Sequence, residues 1–106
     1  MKYVLSREAG ADMREIEDYT ARRWGRDQRE AYLREIVGAL EKLASRPELG
    51  RSRKDIPSPY LVYSVKSHLV IYRHNMDFQR IEVLNILHPA MDLKKRVLET
   101  LRRLKH

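Results

Sequence analysis

The 106-residue sequence contains no cysteine. That removes disulfide scaffolds, thiolate zinc sites and cysteine nucleophiles together. Glycine and proline occur only four times each, which excludes collagen-like and low-complexity readings. Aromatic residues make up 8% of the chain, too few for an extended base-stacking surface. No apolar run approaches the roughly 18 residues that cross a bilayer, so no membrane partner is expected. The opening Met1-Lys2-Tyr3-Val4-Leu5-Ser6 is too short an apolar stretch for a secretory signal, and a cytoplasmic location is the expectation. A single domain over residues 1–106 is expected too, because domains run to about 100–200 residues.

What the chain does have is charge. Charged residues are 35% and apolar residues 42%, a balance that supports a folded domain. The net charge of +7 is unevenly placed. Residues 1–45 carry nine basic and nine acidic side chains, whereas residues 46–106 carry thirteen basic and six acidic. A neutral half beside a cationic half implies a basic face, suited to nucleic acid or to an acidic protein segment. No stretch groups Asn, Gln and Arg as a base-reading helix would, so sequence-specific DNA binding is not expected.

Hydropathy patterning divides the chain into recognisable elements. Lys2 to Ser6 reads as a short strand, with Ser6 placed to cap a following helix. Ala9, Met13, Ile16, Thr20 and Trp24 recur at helical spacing, and Gly25 stops that helix. Asp27 is positioned to cap a second helix with a buried stripe of Tyr32, Leu33, Ile36, Leu40, Leu43 and Ala44, ended by Pro47. So short a connection predicts an antiparallel hairpin of helices. Leu49 to Pro59 reads as a loop.

Tyr60–Val65, His68–Arg73 and Arg80–Leu87 are rich in Val, Ile and Tyr and read as strands. Lys66-Ser67 and His74–Phe78 are the expected turns. In the last strand, Ile81 and Val83 should face one side and Leu84 and Ile86 the other, which marks a central strand. The helix hairpin can cover one sheet face only, so something else must cover part of the other. Asp92 is placed to cap a final helix with Leu93, Val97, Leu98, Leu101 and Leu104 along one side. Lys94, Lys95, Arg96, Arg102, Arg103 and Lys105 lie along its other side. The order is strand, helix hairpin, three antiparallel strands and helix: an α+β two-layer domain.

Several strings in this order resemble the RelE/ParE toxin superfamily, most closely its ParE branch. They are Leu5-Ser6, Ile16 to Tyr19, Arg23-Trp24-Gly25 with Gln28, and Leu43 to Gly50. Ser67-His68-Leu69-Val70-Ile71-Tyr72-Arg73 follows, then Ile86-Leu87-His88 with Met91-Asp92. The resemblance implies the toxin of a type II toxin–antitoxin system that inhibits DNA gyrase, is not itself an enzyme and needs no cofactor. It implies a ParD-like antitoxin as partner and operator DNA reached only through that antitoxin. The alternative it implies is a RelE-like, ribosome-dependent mRNA interferase.

Metal-free RNA cleavage needs a base, an acid and a cation for the developing phosphate charge. The resemblance places that cation in a Gly-Tyr-Arg-like string, where this chain reads Pro59-Tyr60-Leu61. A second arginine implied in the last strand is Asn85 here. The groups left for the alternative are His88, Arg73 and Arg80. His88 and His68 otherwise read as structural, and Arg73 as a cross-hairpin partner of Glu82. His68 and His74 would stand about 20 Å apart in an extended strand, too far to share a metal ion.

Partner-binding candidates are the loop cations Arg51, Arg53 and Lys54 with Ser52, the strand cations Lys66, Arg73 and Arg80, and the helix cations Lys94, Lys95 and Arg96. The uncovered sheet face and the helix-hairpin groove are the expected landing sites. Tyr60, Tyr63 and Tyr72 read as packing residues first and contact residues second.

Overall fold

A computed structural model describes residues 2–104. In chain order it contains β1 (Lys2–Leu5), α1 (Arg7–Trp24), α2 (Arg26–Ser45), a 3-10 turn (Pro47–Leu49), β2 (Leu61–Val65), β3 (His68–Asn75), β4 (Arg80–Leu87) and α3 (Leu93–Leu104). The sheet order is β1-β4-β3-β2. β1 lies parallel to β4, and the other pairs are antiparallel. This is the expected α+β architecture, with β4 flanked on both sides.

The helix boundaries follow from local chemistry. The Ser6 hydroxyl oxygen accepts from Ala9 N at 2.9 Å, which satisfies a first-turn amide, and its proton goes to Leu84 O at 2.6 Å. The cap therefore also ties α1 to β4. Gly25 has φ +91°, a conformation that disfavours side chains. Its N–H closes α1 on Ala21 O, and its carbonyl accepts from Arg29 N to open α2. One residue thus serves both helices. Asp27 does not cap α2 as expected; it lies in the first turn, where the helix dipole still favours a carboxylate.

Two apolar clusters flank the sheet. The larger packs Ala9, Ile16, Ile36, Leu40 and Leu43 of the helices on Val70, Tyr72, Ile81, Val83 and Ile86. The smaller packs Leu93 and Val97 of α3, with Ile56 of the loop, on Val62, Leu69, Ile71, Leu84 and Leu87. Fully burying each such Leu, Ile or Val side chain contributes about 1.5–3 kcal/mol. The second face is thus covered in part, as the two-sided apolar pattern of β4 required.

Three further details depart from the sequence expectation. First, a register shift against Ile71/Tyr72 inserts Leu84 as an extra residue in β4, since Tyr72 pairs Val83 while Ile71 pairs Asn85. The insertion re-phases the strand and turns Ile86 back beside Ile81 and Val83. Second, His74 belongs to β3 rather than to the turn, because β3 pairs with β4 out to Asn75 and Arg80.

Third, α3 buries Leu93, Val97 and Thr100, while Leu98 and Leu104 are exposed. Thr100 lies two turns beyond Leu93 on the same face, whereas Leu98 is rotated well away from it. Of the expected cations on α3, Lys105 lies outside the described residues.

Tyr72 is fully buried. Its hydroxyl donates to Pro47 O at 2.6 Å and accepts from Gly50 N at 2.8 Å. A side chain on Gly50 would place Cβ 2.5 Å from that hydroxyl. Tyr72→Phe should therefore destabilise the protein by about 1–3 kcal/mol, the usual effect of orphaning a buried donor. Gly50→Ala should cost at least as much, and urea denaturation of both variants checks the pair.

A candidate partner-binding groove beside a buried carboxylate

β1 pairs with β4 only as far as Val83, after which Ser6 N donates to Val83 O and the chain turns into α1. Beyond that point the edge of β4 has no neighbouring strand among the described residues. Asp12 of α1 fills the gap. Its Oδ2 accepts from Ile86 N at 2.9 Å and from Asn85 Nδ2 at 3.3 Å. Arg96 Nη2 of α3 lies 3.8 Å from the other oxygen.

Asp12 and Asn85 are both buried. Burial pushes the Asp12 carboxyl above the usual carboxylate range; Ile86 N–H, Asn85 and Arg96 offset only part of the rise, and Glu15 adds to it. Asn85 Oδ1 is buried without a hydrogen-bond partner among the described residues.

A groove of about 750 Å³ opens beside this carboxylate. Asp12, Glu15, Tyr19 and Trp24 of α1, Tyr32 of α2, His68, Ile86, His88 and Met91 are among its lining residues. Tyr19 and Trp24 are 59% and 63% exposed. Trp24 was expected on the packed stripe of α1, but it closes the last turn in solvent, with the Arg23 guanidinium 5.5 Å from its ring centre.

Three rings, Tyr32, His68 and His88, meet edge-on within the groove. Ser67 N donates to the Tyr32 hydroxyl at 3.2 Å, and that hydroxyl shares a hydrogen bond with His68 Nδ1 at 2.5 Å. The His68 ring meets both Tyr32 and His88 edge-on at 5.6 Å. Burial lowers the His68 pKa, and neighbouring His88 lowers it further. His88 Nδ1 accepts from Ala90 N at 3.1 Å. The neutral His88 ring therefore carries its proton on Nε2.

His88, Arg73 and Arg80 are not brought together. His88 follows one end of β4 and Arg80 opens the other, roughly 23 Å away at the rise of an extended strand. Arg73 Nε donates to Glu82 Oε1 at 2.8 Å, the cross-hairpin pair expected from the sequence. Arg80 Nε and Asn75 Nδ2 donate to Glu82 Oε2 at 2.9 and 3.1 Å. Burial pushes Glu82 up, but bonds from Arg73, Arg80 and Asn75 outweigh it and hold the carboxyl below its usual value.

The remaining cations are dispersed. Arg51 bridges Val62 through two backbone bonds of 2.8 Å beside the edge of β2, with Ser52 next in the loop. Arg53 is held by Asp55 at 3.0 Å, while Lys54 is exposed. Lys66 sits in the β2–β3 turn, 3.9 Å from Glu35. Lys94 and Lys95 are exposed on α3. The candidates form separate patches on the loop, the hairpin and α3. Among the described residues, no three histidine or acidic side chains converge as metal ligands.

Tyr19, Trp24 and Tyr32 were not singled out as site residues from the sequence. The Arg23-Trp24-Gly25 string was the available signal, because a tryptophan at a helix end has little core left to enter.

A helix hairpin against one face of a four-stranded sheet, with a third helix on the other, defines a small α+β fold. It is similar to a solved chain of the "Chromosomal ParDE TA system from P. aeruginosa", with a TM-score of 0.70 at 19% identity, covering 83% of this chain and 95% of that one. At that identity the likeness concerns the fold alone.

The family described as "ParE toxin of type II toxin-antitoxin system, parDE" matches residues 3–93. Toxin ParE1 of Mycobacterium tuberculosis is 39% identical over 94 residues, which span 89% of this chain and 95% of that protein. Toxin ParE1 of Caulobacter vibrioides is 34% identical over 92 residues, which span 87% and 93%. The chain belongs to the ParE toxin family.

The Asp12 seam has a testable pH signature. A carboxyl raised above its unfolded value of 3.8 contributes most stability below that value and loses it as pH rises through the folded pKa. Between pH 7 and pH 4, the wild type should therefore gain on Asp12→Asn as the solution is acidified. Asp12→Ala should destabilise at both pH values by about 1–3 kcal/mol, because the Ile86 amide loses its acceptor. Urea denaturation of the three proteins at the two pH values gives the comparison.

Proposed function

We propose that this ParE-family chain inhibits DNA gyrase by occupying a surface, without being an enzyme, and that a ParD-like antitoxin neutralises it. The observation that carries the reading is the state of the positions where RNA cleavage would need cations. One holds Leu61 after Pro59-Tyr60. The other holds Asn85, a neutral amide sealed against Asp12. The arginines that remain on this sheet, Arg73 and Arg80, are bound to Glu82 at the end away from His88. A phosphate at His88 would find no cation from these strand positions, and the arginine that lines its groove, Arg22, belongs to α1 instead.

The antitoxin is assigned to the groove. Exposed Tyr19 and Trp24 supply the large, stiff contact area in which tyrosine and tryptophan are favoured as anchors. Arg51, Arg53, Lys54 and Lys66 draw an acidic tail across the β2 edge. Lys94 and Lys95 on α3 remain for gyrase or the DNA it holds, and operator DNA is reached only through the antitoxin. The domain acts as one unit over residues 1–106, with no cofactor.

The second reading is a ribosome-dependent mRNA interferase. It draws on His88, whose ring lines the open groove.

Purified protein should block supercoiling by gyrase while leaving ribosome-bound message intact. Gel assays of plasmid topology and primer extension on programmed ribosomes separate the two readings. Unhindered gyrase at a large excess of folded toxin, together with cuts in the message, would reverse the assignment.

A further inference from the structure

The tip of the β3–β4 hairpin carries two large apolar side chains, Met76 and Phe78, where turns are ordinarily built from Gly, Asn, Asp and Ser. Met76 and Phe78 are 75% and 69% exposed, more than any other large apolar side chain among the described residues. Such exposure has no packing role.

The tip is also braced. Asn75 Oδ1 accepts from Phe78 N at 3.2 Å, and Gln79 turns the chain at φ 49°. The Arg80 guanidinium lies 4.9 Å from the centre of the Phe78 ring. Arg80 is itself fixed by Glu82, which also holds Arg73 and Asn75. Phe78 therefore rests on a charged group that cannot swing freely. A contact side chain ordered before binding loses less entropy on binding.

The position of the tip separates it from the groove. β3 runs from His68 at the groove to Asn75 at the tip, about 23 Å at strand rise. The surrounding charge describes a partner. Arg73 and Arg80 share the carboxylate of Glu82 in β4, Lys2 is the register neighbour of Arg80, and Asp77 is the acid of the turn itself. Three cations and two anions around two bare apolar side chains fit a concave apolar pocket rimmed by carboxylates. A narrow turn suits a pocket, and the pliable thioether of Met76 suits an irregular one.

We propose that the Met76–Phe78 tip is the contact by which this toxin enters an apolar, acid-rimmed pocket of its protein target. The inference rests on the reading of the chain as a toxin that acts by occupying a surface.

The test compares wild type, Met76→Ser/Phe78→Ser and Phe78→Leu, expressed at matched levels in a bacterial host without antitoxin. The purified proteins are assayed for thermal melting, for binding to a ParD-like antitoxin and for inhibition of gyrase supercoiling. The double variant should lose growth arrest and need about tenfold or more protein to inhibit gyrase, as loss of a buried aromatic anchor does. Its melting and antitoxin affinity should match the wild type, and Phe78→Leu should keep most of the toxicity. Should the double variant fold poorly, Phe78→Ser alone gives the same comparison.

Undiminished arrest and inhibition by the folded double variant overturn the proposal while leaving gyrase as the target. A defect confined to antitoxin binding overturns it too, and moves the tip to that interface. Arrest that depends on the tip while gyrase runs unhindered upholds the contact and removes gyrase as the target. A wild type that neither arrests growth nor inhibits gyrase removes the underlying reading, and the tip contact falls with it.

Discussion

A carboxylate standing in for a missing strand holds this molecule together. β1 ends while β4 continues, and the buried edge amide of Ile86 is answered by Asp12 from α1. The same side chain accepts from Asn85 and lies within 3.8 Å of Arg96 on α3. The first helix, the central strand and the last helix therefore meet at one ionisable group. Without it, the seam between the two apolar clusters would hold a backbone donor with no acceptor, a costly arrangement away from water. Function inherits that constraint, since the groove proposed for the antitoxin is walled by the same turn of α1.

Much of this frame was legible in the residues. Ser6, Gly25 and Asp92 announce helix ends by chemistry that acts within a few residues, and Asp92 Oδ1 does accept from Lys95 N at 3.1 Å. The two-sided apolar pattern of the last strand required cover on both faces, and α3 supplies part of it. The shift at Leu84 was not legible, because Val83-Leu84-Asn85-Ile86 is compatible with either phase. Only the pairing with β3 decides between them.

The site was less legible than the fold. Helical periodicity locates a stripe but not the point where the core beneath it stops. Trp24 therefore read as packed when it is in solvent. Asp12 lies between Ala9 and Ile16, on the face that packs, yet a carboxylate reads as surface until a partner is known for it. The cations were visible by composition, but their division among loop, hairpin and α3 depends on how distant segments fold back. The Arg73–Glu82 pair was within reach because strand register is local information once a short turn is recognised.

The one-residue joint at Gly25 makes the helix pair behave like meshed gears. Each residue advances a helix by about 100°. A single residue added before the joint would rotate everything beyond it by that amount, carrying Ile36, Leu40 and Leu43 off the sheet together. An added residue is better tolerated in a loop, which transmits no rotation, and the spacing between the two helices matters as much as the residues they bury.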